Sequence, residues 1–357
     1  MTEHALSGEP RITAIATAVP AQDVAETYRR WARRQIPGER EGAIFERMAE
    51  RSGITHRWSI FDEADARLEP GSFYAREKPP GTAERMELYA RSAPELALSA
   101  IRKLPDLSGV THLVVASCTG FVAPGIDQII ARELDLGRDV ERTLIGFMGC
   151  YAGAIALRTA RHLARSDDEA RVLVVTVEIA SVHLQPVAEI EPLLAMMQFA
   201  DGAAAAIVEN RGDGLALGES IALALDDSAG LITWNIVDTG FAMHLSGEVP
   251  GRLADALESA EVREAISGGR DLAAIDGWAV HAGGRSILDA VTRGLSLPDD
   301  ALDASRDVLR ENGNMSSSTL LFAMATMMQR RPQRGVALAF GPGLAMEGFH
   351  FGWVDAG

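Results

Sequence analysis

A cysteine at position 150 stands in the run Gly146-Phe-Met-Gly-Cys-Tyr-Ala-Gly153, where a glycine-rich turn gives way to an alanine-rich amphipathic segment. A thiol at a helix N-terminus meets unpaired backbone N–H groups and the positive end of the helix dipole, which favour the nucleophilic thiolate. Gly149 and Gly153 let backbone or substrate approach closely. Read alone, Cys150 fits a buried, inert small hydrophobe as well as a nucleophile. Two further segments carry polar groups at similar junctions. His281 ends the apolar run Trp278-Ala-Val-His and precedes Gly283 and Gly284, and Asn314 lies in Glu311-Asn-Gly-Asn-Met-Ser-Ser-Ser-Thr319, ahead of the apolar segment 320–328. Each residue alone reads as a cap or turn residue. Together a thiol, an imidazole and an amide make a set for acyl transfer through a thioester, with donors for a developing oxyanion.

The elements that must position these groups alternate along the chain. Segments 11–18, 112–117, 171–178 and 203–208 read as strands and 93–104 and 152–164 as helices; a second set has strands 220–225, 275–281 and 335–340 and helices 286–295 and 317–329. Strand–helix alternation repeated twice implies a layered α/β architecture. The turn-rich stretch Asn210-Arg-Gly-Asp-Gly214 marks the break between the sets, and segments 34–42 and 66–84, rich in Pro, Gly and charge, read as surface loops.

Composition narrows the class. A chain of 357 residues, 47% of them hydrophobic, can bury a large core and holds two structural halves. No uninterrupted apolar stretch of about 18 residues occurs, which argues against a membrane span. The first ten residues are polar, without a signal-peptide core. Two cysteines and no metal-ligand spacing predict a reducing cytoplasm, no disulfide between Cys118 and Cys150, and no metal. A net charge of −16 argues against a general nucleic-acid surface. Arg47 and Arg51 share one helical face, either as solvated partners of Glu46 and Glu50 or as an anion site.

The chain resembles the type III polyketide synthases, the chalcone and stilbene synthase family of the thiolase-like ketosynthases. Besides the Cys150 run, the likeness rests on His281-Ala-Gly-Gly, Gly313-Asn-Met-Ser-Ser, Phe199-Ala-Asp-Gly-Ala-Ala-Ala, Val175-Thr-Val-Glu-Ile, Phe340-Gly-Pro-Gly-Leu and His112-Leu-Val-Val-Ala-Ser-Cys-Thr-Gly, in the family's order from about residue 10 to the end. The resemblance implies a duplicated thiolase-like fold, layered α-β-α-β-α, in a homodimer. A half spanning 1–212 would carry the nucleophile and one spanning 213–357 the His and Asn.

It further implies that Cys150 carries the growing chain, and that His281 and Asn314 stabilise the thiolate and the enolate left when malonyl-CoA loses carbon dioxide. Coenzyme A thioesters are the implied substrates, with no metal or redox cofactor. Arg47 and Arg51 match positions that hold the coenzyme A phosphates, while a third basic family position is Ile44 here. Phe199 matches an aromatic at the mouth of the reaction cavity, and Met243 replaces a second gatekeeper phenylalanine. Cys118, His183, Ala123 and Ser316 match further cavity positions. Met243, Ala123 and Cys118 together point towards an aliphatic acyl starter and alkylpyrone or alkylresorcinol products. Two other readings stay open: a ketosynthase of the fatty-acid initiation type using acyl carrier protein, and a catalytically silent partner subunit.

Overall fold

The computed structural model describes residues 6, 8–66 and 68–356. Its strands are β1 (Arg11–Ala18), β2 (Gln22–Asp23), β3 (Trp58–Ser59), β4 (His112–Ser117), β5 (Glu141–Gly146), β6 (Val172–Glu178), β7 (Gly202–Glu209), β8 (Gly214–Ala224), β9 (Ile232–Val237), β10 (Gly240–Leu245), β11 (Gly277–Val280), β12 (Gly335–Gly341) and β13 (Ala345–Val354). Among the described residues nine of them form one sheet in the order β5-β4-β6-β7-β1-β8-β13-β12-β11. The interior strand β6, Val-Leu-Val-Val-Thr-Val-Glu, is buried along its whole length, as an apolar run covered on both faces must be.

The sheet contains an internal repeat. From β1 outward, β7 and β6 follow antiparallel and β4 parallel to β6; from β8 outward, β13 and β12 follow antiparallel and β11 parallel to β12. The first set adds β5 at its edge. The two sets meet only through Arg11↔Ala216 and Ile12↔Leu215. They are therefore two copies of one strand order, each fed by its own helices.

The core clusters define the layers. Helices Ala152–Ser166 and Ser318–Arg330 bury Leu157, Ala160, Leu321 and Met324 in one cluster with Val114 and Val174 from the first strand set and Ala337 and Phe349 from the second. Helix Thr82–Ile101 covers the outer face of the first set through Ala93 and Ala97 with Val115 and Val175. Helices Val249–Glu258 and Arg285–Leu295 cover the outer face of the second through Leu253 and Leu288 with Val280 and Leu338. The order is helix, first strand set, central helix pair, second strand set, helix, the layered fold that the resemblance implies.

Several elements differ from the sequence reading. Helix Glu39–Arg51 begins inside segment 34–42, and helix Thr82–Ile101 starts eleven residues before the expected 93. The β9–β10 hairpin and the edge strand β5 carry no clear alternation, because Glu141, Arg142 and Thr143 are all exposed. Strand β13 runs unbroken over Ala345–Val354 although Gly348 and Gly352 break its apolar sequence; a Cβ at either would meet the backbone carbonyl of Ala337 or Gln333.

Candidate active site

Cys150 lies between β5 and helix Ala152–Ser166, in a turn that bends through Phe147 (φ 54°) and Gly149 (φ 81°). A Cβ at Gly149 would lie 2.3 Å from Pro342 Cδ, so only glycine fits there. The loop after β12 closes on the turn from the other half of the chain, with Gly341 against the Cys150 backbone nitrogen. Cys118, just after β4, binds the same turn: its sulfur accepts the Gly149 N–H at 3.0 Å and its S–H donates to the Gly149 carbonyl at 3.3 Å. Both cysteines are free thiols.

The second central helix brings up the partners of the thiol. The Ser316 hydroxyl donates to Cys150 Sγ at 3.7 Å, and the Asn314 amide also hydrogen-bonds the thiol. Asn314 is fixed on every side. Its N–H donates to the Gln198 carbonyl at 2.7 Å, its carbonyl accepts Ala200 N–H at 2.9 Å, its Oδ1 accepts Ser316 N–H at 2.8 Å, and its Nδ2 donates to the Gly283 carbonyl at 3.1 Å. It does not cap the following helix, whose N-cap is Ser317.

His281 follows β11 directly, its N–H donating to the Leu338 carbonyl at 2.7 Å. The ring lies beside Gly283, within 3.5 Å of the point where a Cβ there would stand. It is buried, and neither ring nitrogen has a hydrogen-bond partner. Burial alone pushes its pKa down to about 3. Gly283 thus connects His281 to Asn314, and Asn314 to Cys150.

Burial also acts on the thiol, pushing Cys150 up to about 12, with the Ser316 and Asn314 donors pulling the other way and Glu178 pushing further up. The helix N-terminus is where the sequence places it, and the burial that pushes the thiol up is a tertiary effect that acts against the local one. Glu178, at the end of β6, is fully buried. It accepts Cys118 N–H at 3.0 Å, the Thr119 hydroxyl at 2.8 Å, Ser317 N–H at 3.4 Å and the Ser317 hydroxyl. Its carboxylate ties the Cys118 strand end in one half to the Asn314 loop in the other. Burial raises its pKa to about 7 despite these donors.

Phe199 forms a β-bridge with Asn314, and Arg57 Nε donates to its carbonyl. Beyond it lies a cavity of about 230 Å³ lined on one side by Phe199, Trp234, Phe241, Met243 and His183; Cys150, His281 and Asn314 do not line it. Trp234 stacks on Phe199 and donates its Nε1–H to the Cys118 carbonyl at 3.0 Å. The sequence reading missed Trp234, although it stands directly across the hairpin from Met243. His183 is a strut: Nε2–H donates to the Thr119 carbonyl at 2.7 Å, Nδ1 accepts Phe241 N–H at 3.0 Å, and burial lowers its pKa to about 3. Ala123 lies on an exposed loop, outside the cavity of its own chain.

A second cavity, about 370 Å³, opens near Gln198, the residue whose carbonyl holds Asn314. Arg51 lines it, and so does Arg285, which sequence reasoning did not single out. Arg47 is exposed and outside this lining, and Ile44 is half-buried.

A buried thiol, an imidazole and an amide held between two copies of one α/β unit define a condensing enzyme of the thiolase-like kind. The chain belongs to the chalcone and stilbene synthase family: residues 2–211 match the N-terminal domain of that family and residues 217–354 the C-terminal domain. It is 31% identical over 334 residues, 88% of this chain and 83% of the relative, to the alpha-pyrone synthesis polyketide synthase-like Pks18 of Mycobacterium tuberculosis, and equally to that of Mycobacterium bovis. In fold it matches the C-terminal type III polyketide synthase domain of Steely1, a type I/III hybrid from Dictyostelium, with a TM-score of 0.86 and 24% identity, covering 98% of this chain and all of that one. The protein is thus a type III polyketide synthase, an acyltransferase by family. No described helix is long and apolar enough to cross a membrane.

Proposed function

We propose that the enzyme condenses malonyl-CoA units onto an aliphatic acyl-CoA starter and cyclises the product to a pyrone, resorcinol or related ring. The observation that carries this is the contact of Cys150 with Ser316 and Asn314, with the unpartnered His281 ring one residue-link away through Gly283. Cys150 attacks the starter thioester. The thiol proton passes to His281 and on to the departing coenzyme A sulfur, leaving the acyl group on Cys150.

The buried imidazole is neutral, so its ring N–H is a donor without an acceptor until a substrate oxygen arrives. Together with Asn314 Nδ2 it holds the thioester oxygen of malonyl-CoA. Carbon dioxide leaves, the electron pair passes into the enolate, and the enolate carbon attacks the Cys150 thioester, expelling the thiolate. A thiol held near pKa 12 makes a basic thiolate, which takes up one proton from solvent and so restores the Cys150 thiol for the next acylation. Arg51 and Arg285 flank the route by which the anionic carrier enters. Neither metal nor redox cofactor has a part in this scheme.

Two copies of the chain form the working unit. Among the described residues the edge strand β5 is paired only on its β4 side, and Leu144 on it and Phe121 and Met148 beside it are exposed apolar groups. Sedimentation of the purified protein as a monomer at micromolar concentration would remove this part. The reaction is tested by supplying malonyl-CoA with acetyl-, hexanoyl-, long-chain acyl- and coumaroyl-CoA and reading products by mass spectrometry. Cyclised polyketides that disappear in Cys150→Ala are expected; products formed only with acyl carrier protein would replace the carrier assignment.

A further inference from the structure

Helix Glu39–Arg51 carries four glutamates and three arginines, and it sorts them by face. Its inner side buries Gly42, Phe45 and Ala49. Three of the glutamates are neutralised from helix Ala25–Gln35: Arg29 pairs with Glu46 and, at 3.1 Å, with Glu50, and Arg33 pairs with Glu39 at 3.2 Å. The fourth, Glu41, folds back against Gly38. The arginines lie elsewhere. At about 100° per residue Arg40, Arg47 and Arg51 fall within about 40° of one another, in a stripe about 16 Å long. All three are exposed, and among the described residues none of their guanidinium groups has a carboxylate partner. Met48, beside the stripe, is 49% exposed.

The stripe ends at the 370 Å³ cavity, which Met48 and Arg51 line and Arg40 does not. A coenzyme A nucleotide held at that mouth by Arg51 and Arg285 leaves Arg40 about 16 Å away along the helix axis. Arg40 also stands in the first helical turn, where the dipole opposes a cation. What would serve it is a larger anionic surface that reaches the cavity mouth at one end. The chain as a whole has a net charge of −16, so this run is a local basic exception. It suits a small acidic partner whose contact is confined to the stripe. An anionic bilayer fits less well, because its plane would bring the acidic remainder of the surface close to like charge.

We propose that the Arg40–Arg47–Arg51 stripe docks an acidic helix of a small carrier protein, which presents the acyl starter on a phosphopantetheine arm through the adjoining cavity. This rests on the reading above that acyl thioesters are the substrates, and it adds a protein donor of the starter while malonyl-CoA remains the extender. In the transfer the Cys150 sulfur forms a bond to the acyl carbon, the carrier's thioester C–S bond breaks, and the Cys150 proton leaves on the carrier's thiol. The exposed Met48 gives the docked helix an apolar centre between the charges.

The test measures binding of a purified holo acyl carrier protein of the fatty-acid kind to the full-length enzyme, by fluorescence anisotropy at low salt. Arg40→Glu is expected to weaken binding about tenfold, and Arg40→Lys to restore most of it. Arg40 touches no other side chain, and a carboxylate in the first helical turn favours the helix, so Arg40→Glu keeps the fold. Arg102→Glu, the same charge change at an exposed position after helix Thr82–Ile101, should leave binding unchanged. No binding of the carrier protein overturns the proposal, and so does equal weakening by Arg40→Glu and Arg102→Glu. Binding to vesicles containing phosphatidylglycerol that is lost in Arg40→Glu, with no binding of the carrier protein, would assign the stripe to a membrane instead and overturn it too. Turnover of acyl-CoA with malonyl-CoA is measured separately and should be the same in Arg40→Glu and wild type. Carrier binding without any condensation would count against the proposed reaction and leave the docking site standing; condensation from coenzyme A thioesters without carrier binding would do the reverse.

Discussion

Gly153 is where the two halves of the active site are held in register, and replacing it by alanine tests that directly. A Cβ at Gly153 would stand 2.3 Å from the Ser317 carbonyl oxygen and 3.1 Å from Leu321 Cδ1. An ordinary C···O approach is about 3.3 Å, so the helix of Cys150 and the loop of Asn314 and Ser316 must separate by about 1 Å. Overpacking of this kind costs about 1–3 kcal/mol. A shift of about 1 Å in a catalytic constellation costs on the order of 100-fold in rate. The Ser316-to-Cys150 contact is already 3.7 Å and has no slack. Condensation of malonyl-CoA should fall on that order in Gly153→Ala, while urea denaturation shows a modest loss of stability.

Gly277→Ala is the control. Its Cβ would lie 2.6 Å from Pro332 Cβ and Cγ, a comparable clash. It stands at the other end of β11 from His281, about 13 Å away along the strand. That variant should lose stability and keep its rate. Equal rates in the two variants at equal stability would refute the argument that helix spacing sets the catalytic geometry.

Alkylation of Cys150 by iodoacetamide should keep accelerating with pH up to at least 9, with no plateau below 8, because burial holds the thiol near 12; a plateau near neutrality would show a preformed thiolate–imidazolium pair instead. Glu178 has a folded pKa of about 7 against an ordinary 4.5, so its protonated form stabilises the fold below the unfolded pKa and that contribution is lost as pH rises through 7. Urea titrations should show the stability gap between wild type and Glu178→Gln shrinking from pH 5 to 8, by about 3 kcal/mol at most. His183→Phe leaves the Thr119 carbonyl and Phe241 N–H without partners and should cost about 1–3 kcal/mol for each, read by the same titration. Arg51→Ala and Arg285→Ala should raise KM for coenzyme A thioesters several-fold while leaving N-acetylcysteamine thioesters unaffected, since the shorter carrier has no phosphates to bind.

The chemistry-bearing residues were legible because each stands beside glycines whose spacing is itself a structural demand: Gly149 and Gly153 flank Cys150, Gly283 and Gly284 follow His281, and Gly313 precedes Asn314. The long apolar strands β4, β6 and β7 were legible for the same kind of reason, since burial on both faces writes a continuous run. What the residues alone could not give was which side chain meets which. His183 matches a cavity position by resemblance and does line the cavity, but the two backbone groups from distant segments that lock its ring could not be read from the sequence. Trp234 and Arg285 lie outside every motif, and only the hairpin register and the helix N-terminus after His281 bring them to the cavities. At Cys150 the helix terminus that favours a thiolate is local and legible, whereas the burial that pushes the thiol up is tertiary and is not.

The repeat in the sheet explains why the site is built from these three residues. β4 and β11 hold the same place in the two strand sets, and each ends on a functional side chain, Cys118 in one copy and His281 in the other. The two central helices are likewise equivalent, each leading into the next antiparallel-paired strand of its set, β6 or β12, and they begin at Cys150 in one copy and at Asn314 to Ser317 in the other. Equivalent places in the two strand sets thus carry four buried side chains, Cys118 and Cys150 in one copy and His281 and Asn314 in the other, and the two copies differ in chemistry. The first supplies the Cys150 thiol with a second thiol that binds its turn; the second supplies the imidazole and the amide. Glu178 lies at the end of β6 and takes hydrogen bonds from both copies, so its carboxylate joins the Cys118–Thr119 strand end to the Ser317 end of the Asn314 loop. Loss of that one group should therefore disturb acyl transfer to Cys150 and malonyl decarboxylation together, whereas loss of Asn314 should chiefly slow decarboxylation.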